Sequence, residues 1–172
     1  MRSRDRIKGL KVEQLTPALL HNFSHQPVRQ CDVDEWVIGS GGRPLKEGIK
    51  RLARRLEDDI VTHARALLRE SDGAVLVIWG STYIRPGLSS VWLSASEEAE
   101  PLALGLHVLL KEGFKELLDD SEESLVAISL SYNELHHKWL RWLGFTNEAG
   151  EDVYAPARHL IFRYTAENQH NV

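Results

Sequence analysis

The chain has 172 residues, 42% hydrophobic and 27% charged, the balance of an ordinary folded domain with one sizeable core. Its formal net charge of −4 gives no global pull toward nucleic acid or an anionic membrane. The single cysteine, Cys31, excludes an internal disulfide and a four-cysteine zinc site, and no run approaches the roughly 18 apolar residues that span a bilayer.

Residues 1–10 read as a loose basic arm without the apolar core of a secretory signal. Thr16-Pro17 starts a short helix through Leu20, with Thr as N-cap and Pro in the first position. Cys31 to Trp36 carries no clear pattern, and Gly39 to Gly42 breaks the chain. The segment 44–57 then reads as an amphipathic helix, with Leu45, Ile49, Leu52 and Leu56 on one stripe. Lys46, Lys50, Arg51, Arg54 and Arg55 cover its other sides, as a solvated surface or a polyanion-binding one.

Ile60–Leu68 and Ala74–Trp79 flank Asp72-Gly73 and read as a β-hairpin, with a helix as the alternative for the first arm. Gly80 to Gly87 reads as a loop, and Leu88–Ala95 as a strand. Ser96 to Leu118 is the strongest helical pattern, with Leu102, Leu106, Leu109, Leu110, Phe114 and Leu117 on one face. Leu125–Leu130 is a buried strand, Asn133–Leu143 a helix with Asn133 as N-cap and Gly144 as its stop, and Leu160–Thr165 a last strand. A strand, a crossover helix and a second strand favour a parallel pair within a mixed sheet. The fold class is therefore α/β (α+β), a central mixed sheet flanked by helices, in one domain over residues 1–172.

Two pieces of chemistry fall away early. His21 and His25 share a helix face but have no third ligand nearby, so no metal site is expected. Neither a nucleophile elbow nor a Walker or Rossmann fingerprint is present.

The segment NELHHKWLRWLGF follows the strand LVAISL and precedes the strand HLIFRYTA. An Asn that opens a helix, closed on Leu-Gly-Phe before an antiparallel strand, resembles the last helix of the GNAT acetyltransferase superfamily. The likeness covers most of Ile60 to Thr165. It implies a GNAT-like sheet whose two central strands splay to admit acetyl-CoA, with the pyrophosphate on a Gly-rich turn, Arg/Gln-x-x-Gly-x-Gly/Ala, at the start of the long helix.

Two departures stand out. The matching stretch is SASEEAEPLALGLH, with Glu97, Glu98 and Glu100 at the entry and no Gly in the turn. At 5–7 Å and an effective dielectric near 20, each like-charge pair there costs on the order of 2–3 kcal/mol before screening. Many active members also place a Tyr four residues before the helix-ending Gly, as proton donor to the leaving thiolate; here that position is Leu140. Histidine is a side chain that can exchange a proton near neutral pH, but His136 and His137 read as surface or packing residues.

Within the superfamily, VWLSASEEAE and NELHHKWLRWLGF resemble small virion-associated proteins of podovirus-type bacteriophages. That likeness implies a structural or assembly protein with a degenerate acetyltransferase fold and no cofactor. It would reside in the virion, and in the host cytoplasm during assembly. Its partners would be other virion proteins, docked through Trp139 and Trp142, or a second copy of the chain, with no membrane or nucleic acid. The alternative is an active acetyl-CoA-dependent N-acyltransferase. Glu97, Glu98 and Tyr132 would then be its catalytic candidates, and Trp92, Leu93, Ser94, Ser96 and Asn133 would hold the cofactor. A second alternative is a nucleic-acid-binding module using the basic helix 44–57.

Overall fold

A computed structural model describes residues 9–58, 61–102, 109–114, 117, 124–147 and 159–164. In chain order the elements are β1 (Leu10–Gln14), α1 (Pro17–Phe23), α2 (Gln30–Gly39), α3 (Leu45–Glu57), β2 (Val61–Arg69), β3 (Val75–Arg85) and β4 (Leu88–Ala95). A 3-10 segment (Glu97–Leu102) and helical residues 109–114 (α4) follow, then β5 (Ser124–Leu130), α5 (Glu134–Trp142), β6 (Thr146–Asn147) and β7 (His159–Tyr164). The strands form one mixed sheet in the order β1-β2-β3-β4-β5-β7-β6, in which β4 and β5 run parallel and the other neighbours antiparallel. This is the mixed, helix-flanked sheet that the sequence implies.

Local chemistry explains most boundaries. Thr16 Oγ1 accepts from the Leu19 N–H at 3.3 Å, and Pro17 takes the first helical position of α1. The β2–β3 turn has Gly73 at φ +73°, and the Ala74 N–H donates to Asp72 Oδ1 at 3.1 Å. Asn133 caps α5 by accepting from the His136 N–H, and Gly144 follows its end at φ +94°.

Four boundaries differ from the sequence reading. Residues 1–8 lie outside the described residues, but Leu10 is buried in an edge strand rather than part of a loose arm. The segment without a clear pattern is helix α2. The expected loop Gly80–Gly87 belongs mostly to β3, which stays paired with β4 as far as Arg85. Gly80 is no breaker. A Cβ there would lie 2.5 Å from the Trp92 ring and 2.2 Å from the His63 carbonyl, so glycine makes room for a tryptophan. The helix expected from Ser96 instead begins as a 3-10 turn with Pro101 inside it, because proline cannot donate the N–H of an α-helical turn. Residues 103–108 of that helix lie outside the described residues.

Alternation along the strands divides the core between the two faces of the sheet. Val77, Val91, Ala95, Leu125 and Ala127 pack with Leu110 and Phe114 of α4 and Leu140 of α5. Ala64, Ala66, Leu68, Val75 and Ile78 pack with Leu20 and Phe23 of α1, Ile49 and Leu52 of α3, and the rings of Trp36 and Trp92. The register of β4 with β5 extends only from Leu88↔Ser124 to Val91↔Ala127. Beyond it the strands part, β4 continuing to Ala95 and β5 to Leu130.

Candidate active site

Strands that part leave backbone groups without a ladder, and buried ones must be satisfied some other way. Helix α2 does this from one turn. Asp32, 3% exposed, accepts from the Ala95 N–H at 2.7 Å, while the Arg29 N–H donates to the Ala95 carbonyl at 3.1 Å. Arg29 holds the Asp32 carboxylate in a fork of 2.9–3.0 Å bonds. Three residues on, Glu35 Oε1 accepts from the Leu130 N–H at 3.3 Å, from Asn133 Nδ2 at 2.9 Å and from Ser129 Oγ at 2.9 Å. One carboxylate therefore fastens the tip of β4 and the other the tip of β5.

The two carboxyls respond oppositely. Burial raises the Asp32 pKa against the opposing charge of Arg29. Burial also works to raise that of Glu35. Hydrogen bonds from His136, Asn133 and Ser129, with the charge of His136, outweigh it and hold Glu35 below its ordinary value.

His136 completes the Glu35 group. Its Nδ1 lies 2.9 Å from Ser129 Oγ and 3.2 Å from Glu35 Oε1. Ser129 gives its own proton to Glu35, so its oxygen is free to accept, and Glu35 is ionised. Both neighbours therefore call for a proton on Nδ1, which leaves the Nε2 lone pair unprotonated in the neutral ring. Nε2 has no hydrogen-bond partner among the described residues. The next histidine has another role. His137 is buried, its Nε2 lies 2.9 Å from the Leu130 carbonyl, and its ring packs on Phe162 at 5.2 Å. Burial lowers its pKa, so it is a neutral packing residue.

Two cavities meet at this imidazole. One, of about 670 Å³, lies on the α4–α5 side of the gap, with mostly apolar walls that include Leu93, Ala95, Leu110, Trp139 and Trp142. Arg29, Lys138 and Glu100 also line it. The other, of about 490 Å³, lies on the α2–α3 side, walled by Trp36, Trp92, Arg51 and Arg55 among others. His136 and Leu93 border both.

The residues named from sequence scatter around this centre. Trp92 walls the second cavity, and Leu93 borders both. Ser94 is buried and accepts from Trp36 Nε1 at 2.6 Å. Ser96 is buried, and its hydroxyl has no partner among the described residues. Asn133 serves as cap and as donor to Glu35. Tyr132 is 55% exposed and lies outside the described walls of both cavities. Glu97 is exposed. Glu98 turns to Arg69 at 2.6 Å, and Arg69 also holds Asp72. Trp139 and Trp142 are half-buried; Trp139 meets Phe114 edge-on at 5.6 Å, and Lys111 Nζ lies 4.9 Å above the Trp142 ring. Sequence reasoning missed Glu35 altogether, and it set His136 aside. Neither has a sequence signal, since Glu35 and His136 are 101 residues apart and meet only through the fold.

The apolar cavity suits the acyl-pantetheine arm of a CoA thioester. Three of the five backbone positions from 97 to 101 offer no free N–H to its pyrophosphate. The Glu97 N–H donates to Pro27 O, the Ala99 N–H to Ser96 O, and Pro101 has none. Among the described residues, Arg29 and Lys138 are the cations that line this cavity.

No family model and no curated protein matches the sequence. Solved structures do match. A phosphinothricin acetyltransferase of the GNAT superfamily from Sinorhizobium meliloti, in complex with AcCoA, is 15% identical, with 91% of this chain and 88% of that one covered at a TM-score of 0.64. A ribosomal-protein-S5-alanine acetyltransferase from Vibrio fischeri is 11% identical, with 92% and 94% covered at 0.61. A putative acetyltransferase from Acinetobacter baylyi is 13% identical, with 92% and 93% covered at 0.66. The fold is thus that of the GNAT acetyltransferases. These likenesses overturn the reading of a degenerate virion structural protein, which is withdrawn together with its expectation of no cofactor. The physical ground for that reading was a carboxylate barrier, and one of its members, Glu98, is drawn off to Arg69.

Proposed function

We propose that the chain is an N-acyltransferase that moves an acyl group, acetyl in the simplest case, from a CoA thioester to an amine. One observation carries the reading: His136, its Nδ1 held by Glu35 and Ser129, stands where two cavities meet in the gap between β4 and β5. A thioester bound in the apolar cavity supplies the acyl carbon, so that a C–N bond forms as a C–S bond breaks. His136 Nε2 takes the proton that the amine nitrogen loses. The same imidazolium is the donor available to the sulfur, because Leu140 at the expected tyrosine position is a fully buried aliphatic side chain. Glu35, through its contact with Nδ1, orients the ring and fixes the tautomer that leaves Nε2 to act.

The test is calorimetry with acetyl-CoA, followed by thiol release with a panel of amines. A dissociation constant below about 1 mM is expected, more favourable than roughly −4 kcal/mol. His136→Gln should cut kcat by about 10²–10⁴-fold while donor affinity stays. Loss of donor binding in that variant, or unchanged turnover, defeats the assignment.

A further inference from the structure

The structure also assigns the acceptor, on the premise that the transfer reading holds: we infer that it is a small amine bearing an oxyanion, a carboxylate or phosphate, held by Arg51 and Arg55. The second cavity opens onto the same imidazole as the first, so its occupant is the molecule whose amine His136 can reach. Its volume of about 490 Å³ falls within the range of roughly 300–1,000 Å³ usual for small-molecule sites.

The walls are specific. Trp36 and Trp92 spend their indole N–H groups on Ser94 Oγ at 2.6 Å and Thr82 Oγ1 at 3.1 Å, which leaves ring surface for the cavity. Each ring needs a glycine beneath it. A Cβ at Gly48 would lie 2.6 Å from the Trp36 ring, and one at Gly80 would lie 2.5 Å from the Trp92 ring. Two glycines and two tryptophans thus form an apolar surround with no free donor on its rings.

The charge is asymmetric. Glu35 also lines the cavity, but its carboxylate already accepts from His136, Ser129, Asn133 and the Leu130 N–H. Arg51 and Arg55 are four residues apart on α3, hence on one helical face, and neither has an ion-pair partner among the described residues. Two guanidiniums without carboxylates, at a cavity whose one carboxylate among the described residues is committed, present net positive charge to the occupant. A polyamine or a lysine-rich peptide would meet repulsion there. A molecule with an amine at one end and an oxyanion at the other is matched at both, and guanidinium forks suit carboxylate and phosphate alike.

The experiment uses the full chain with acetyl-CoA and matched acceptor pairs: an amino acid against its amide, and an aminoalkyl phosphate against the aminoalcohol. N-acetyl product is read by mass spectrometry. The oxyanion member of a pair should have a kcat/KM at least about tenfold higher, the scale of one charge-assisted hydrogen bond, and the preferred pair names the oxyanion. Arg51→Gln with Arg55→Gln should raise its KM by about the same factor and erase the preference, with kcat kept. Arg54→Gln, exposed on the same helix and outside the cavity walls, should change neither. Equal use of both members, or a preference that survives the double substitution, overturns the inference while leaving acyl transfer intact. A second arm titrates the same molecules into the protein without donor, by calorimetry. Oxyanion-dependent binding that the double variant loses, without any transfer, upholds the anion site and overturns the transferase reading. Failure of every molecule in both arms overturns the acceptor site.

Discussion

The seam between β4 and β5 is built by two different rules along its length. From Leu88 to Val91 the strands are joined by an ordinary parallel ladder over a packed core. From Leu93 to Ala95 they are joined by nothing of their own, and helix α2 fastens each tip with a carboxylate. A ladder satisfies backbone groups by bringing strands together. Side-chain acceptors satisfy them while keeping strands apart, and only the second arrangement leaves space between two cavities. The polar, partly buried end of the seam is thus the part that makes a site, and the two ends should fail differently when substituted.

The largest effect is expected at the tip of β4. Asp32→Ala strands the Arg29 guanidinium and leaves the buried Ala95 N–H without its acceptor. Breaking a buried ion pair from one side costs about 3–5 kcal/mol, measurable by urea denaturation. A loss below about 1 kcal/mol, the level of an exposed ion pair, would mean that the tip of β4 is held by packing instead.

The two carboxylates should then separate by pH. The folded pKa of Glu35 lies below its unfolded value, so its stabilisation is complete above the ordinary carboxylate range and is lost as pH falls through the depressed folded value. Asp32 is raised, so its titration contribution is fullest below its unfolded pKa and declines as pH rises through the folded one. Glu35→Gln should cost about 1.5–3 kcal/mol at neutral pH, the worth of hydrogen bonds to a charged group. That gap should narrow on acidification, whereas the gap between wild type and Asp32→Asn should widen. Parallel pH profiles for the two variants would contradict the assigned environments.

Below the tips, packing decides. Leu140 is 1% exposed within the α4–α5 side of the core. Leu140→Tyr restores the residue that the superfamily resemblance expects, yet it overfills that core, at about 1–3 kcal/mol. Its stability cost should not vary with pH between 5 and 8, and turnover should not rise. A rise in turnover would show that the phenol reaches the leaving sulfur.

Which parts were legible in the sequence follows from the same division. The hairpin around Asp72-Gly73, the strand Leu88–Ala95 and the capped helix after Asn133 rest on local signals, and the structure has them nearly as read. The site does not rest on local signals. Asp32 and Glu35 lie in a helix whose apolar pattern is too weak to announce it, and their partners are 63 and 101 residues away. Gly80 reads as a strand breaker until the Trp92 ring is placed over it. Pro101 was in plain sight, and it alone should have moved the start of the long helix. Three glutamates among four consecutive residues read as one barrier, because a sequence does not show which way side chains turn.

That last point yields the smallest effect and a direct test of the withdrawn barrier. Glu98 is paired with Arg69, whereas Glu100 is exposed, lines the apolar cavity and has no ion-pair partner among the described residues. Glu97 is exposed as well but lies outside the cavity's described walls, so of the three Glu100 opposes an incoming phosphate most directly. Glu100→Gln should tighten acetyl-CoA binding about two- to fivefold at low salt, equivalent to roughly 0.4–1 kcal/mol for a surface charge, and the gain should fade as the Debye length drops from about 30 Å at 0.01 M to about 8 Å at 0.15 M. Glu98→Gln removes a charge already neutralised, so it should leave donor affinity nearly unchanged at either salt. Equal gains from the two substitutions would restore the picture of a collective acidic barrier at the head of the segment. No gain from Glu100→Gln would place the phosphates elsewhere on the molecule, away from this rim.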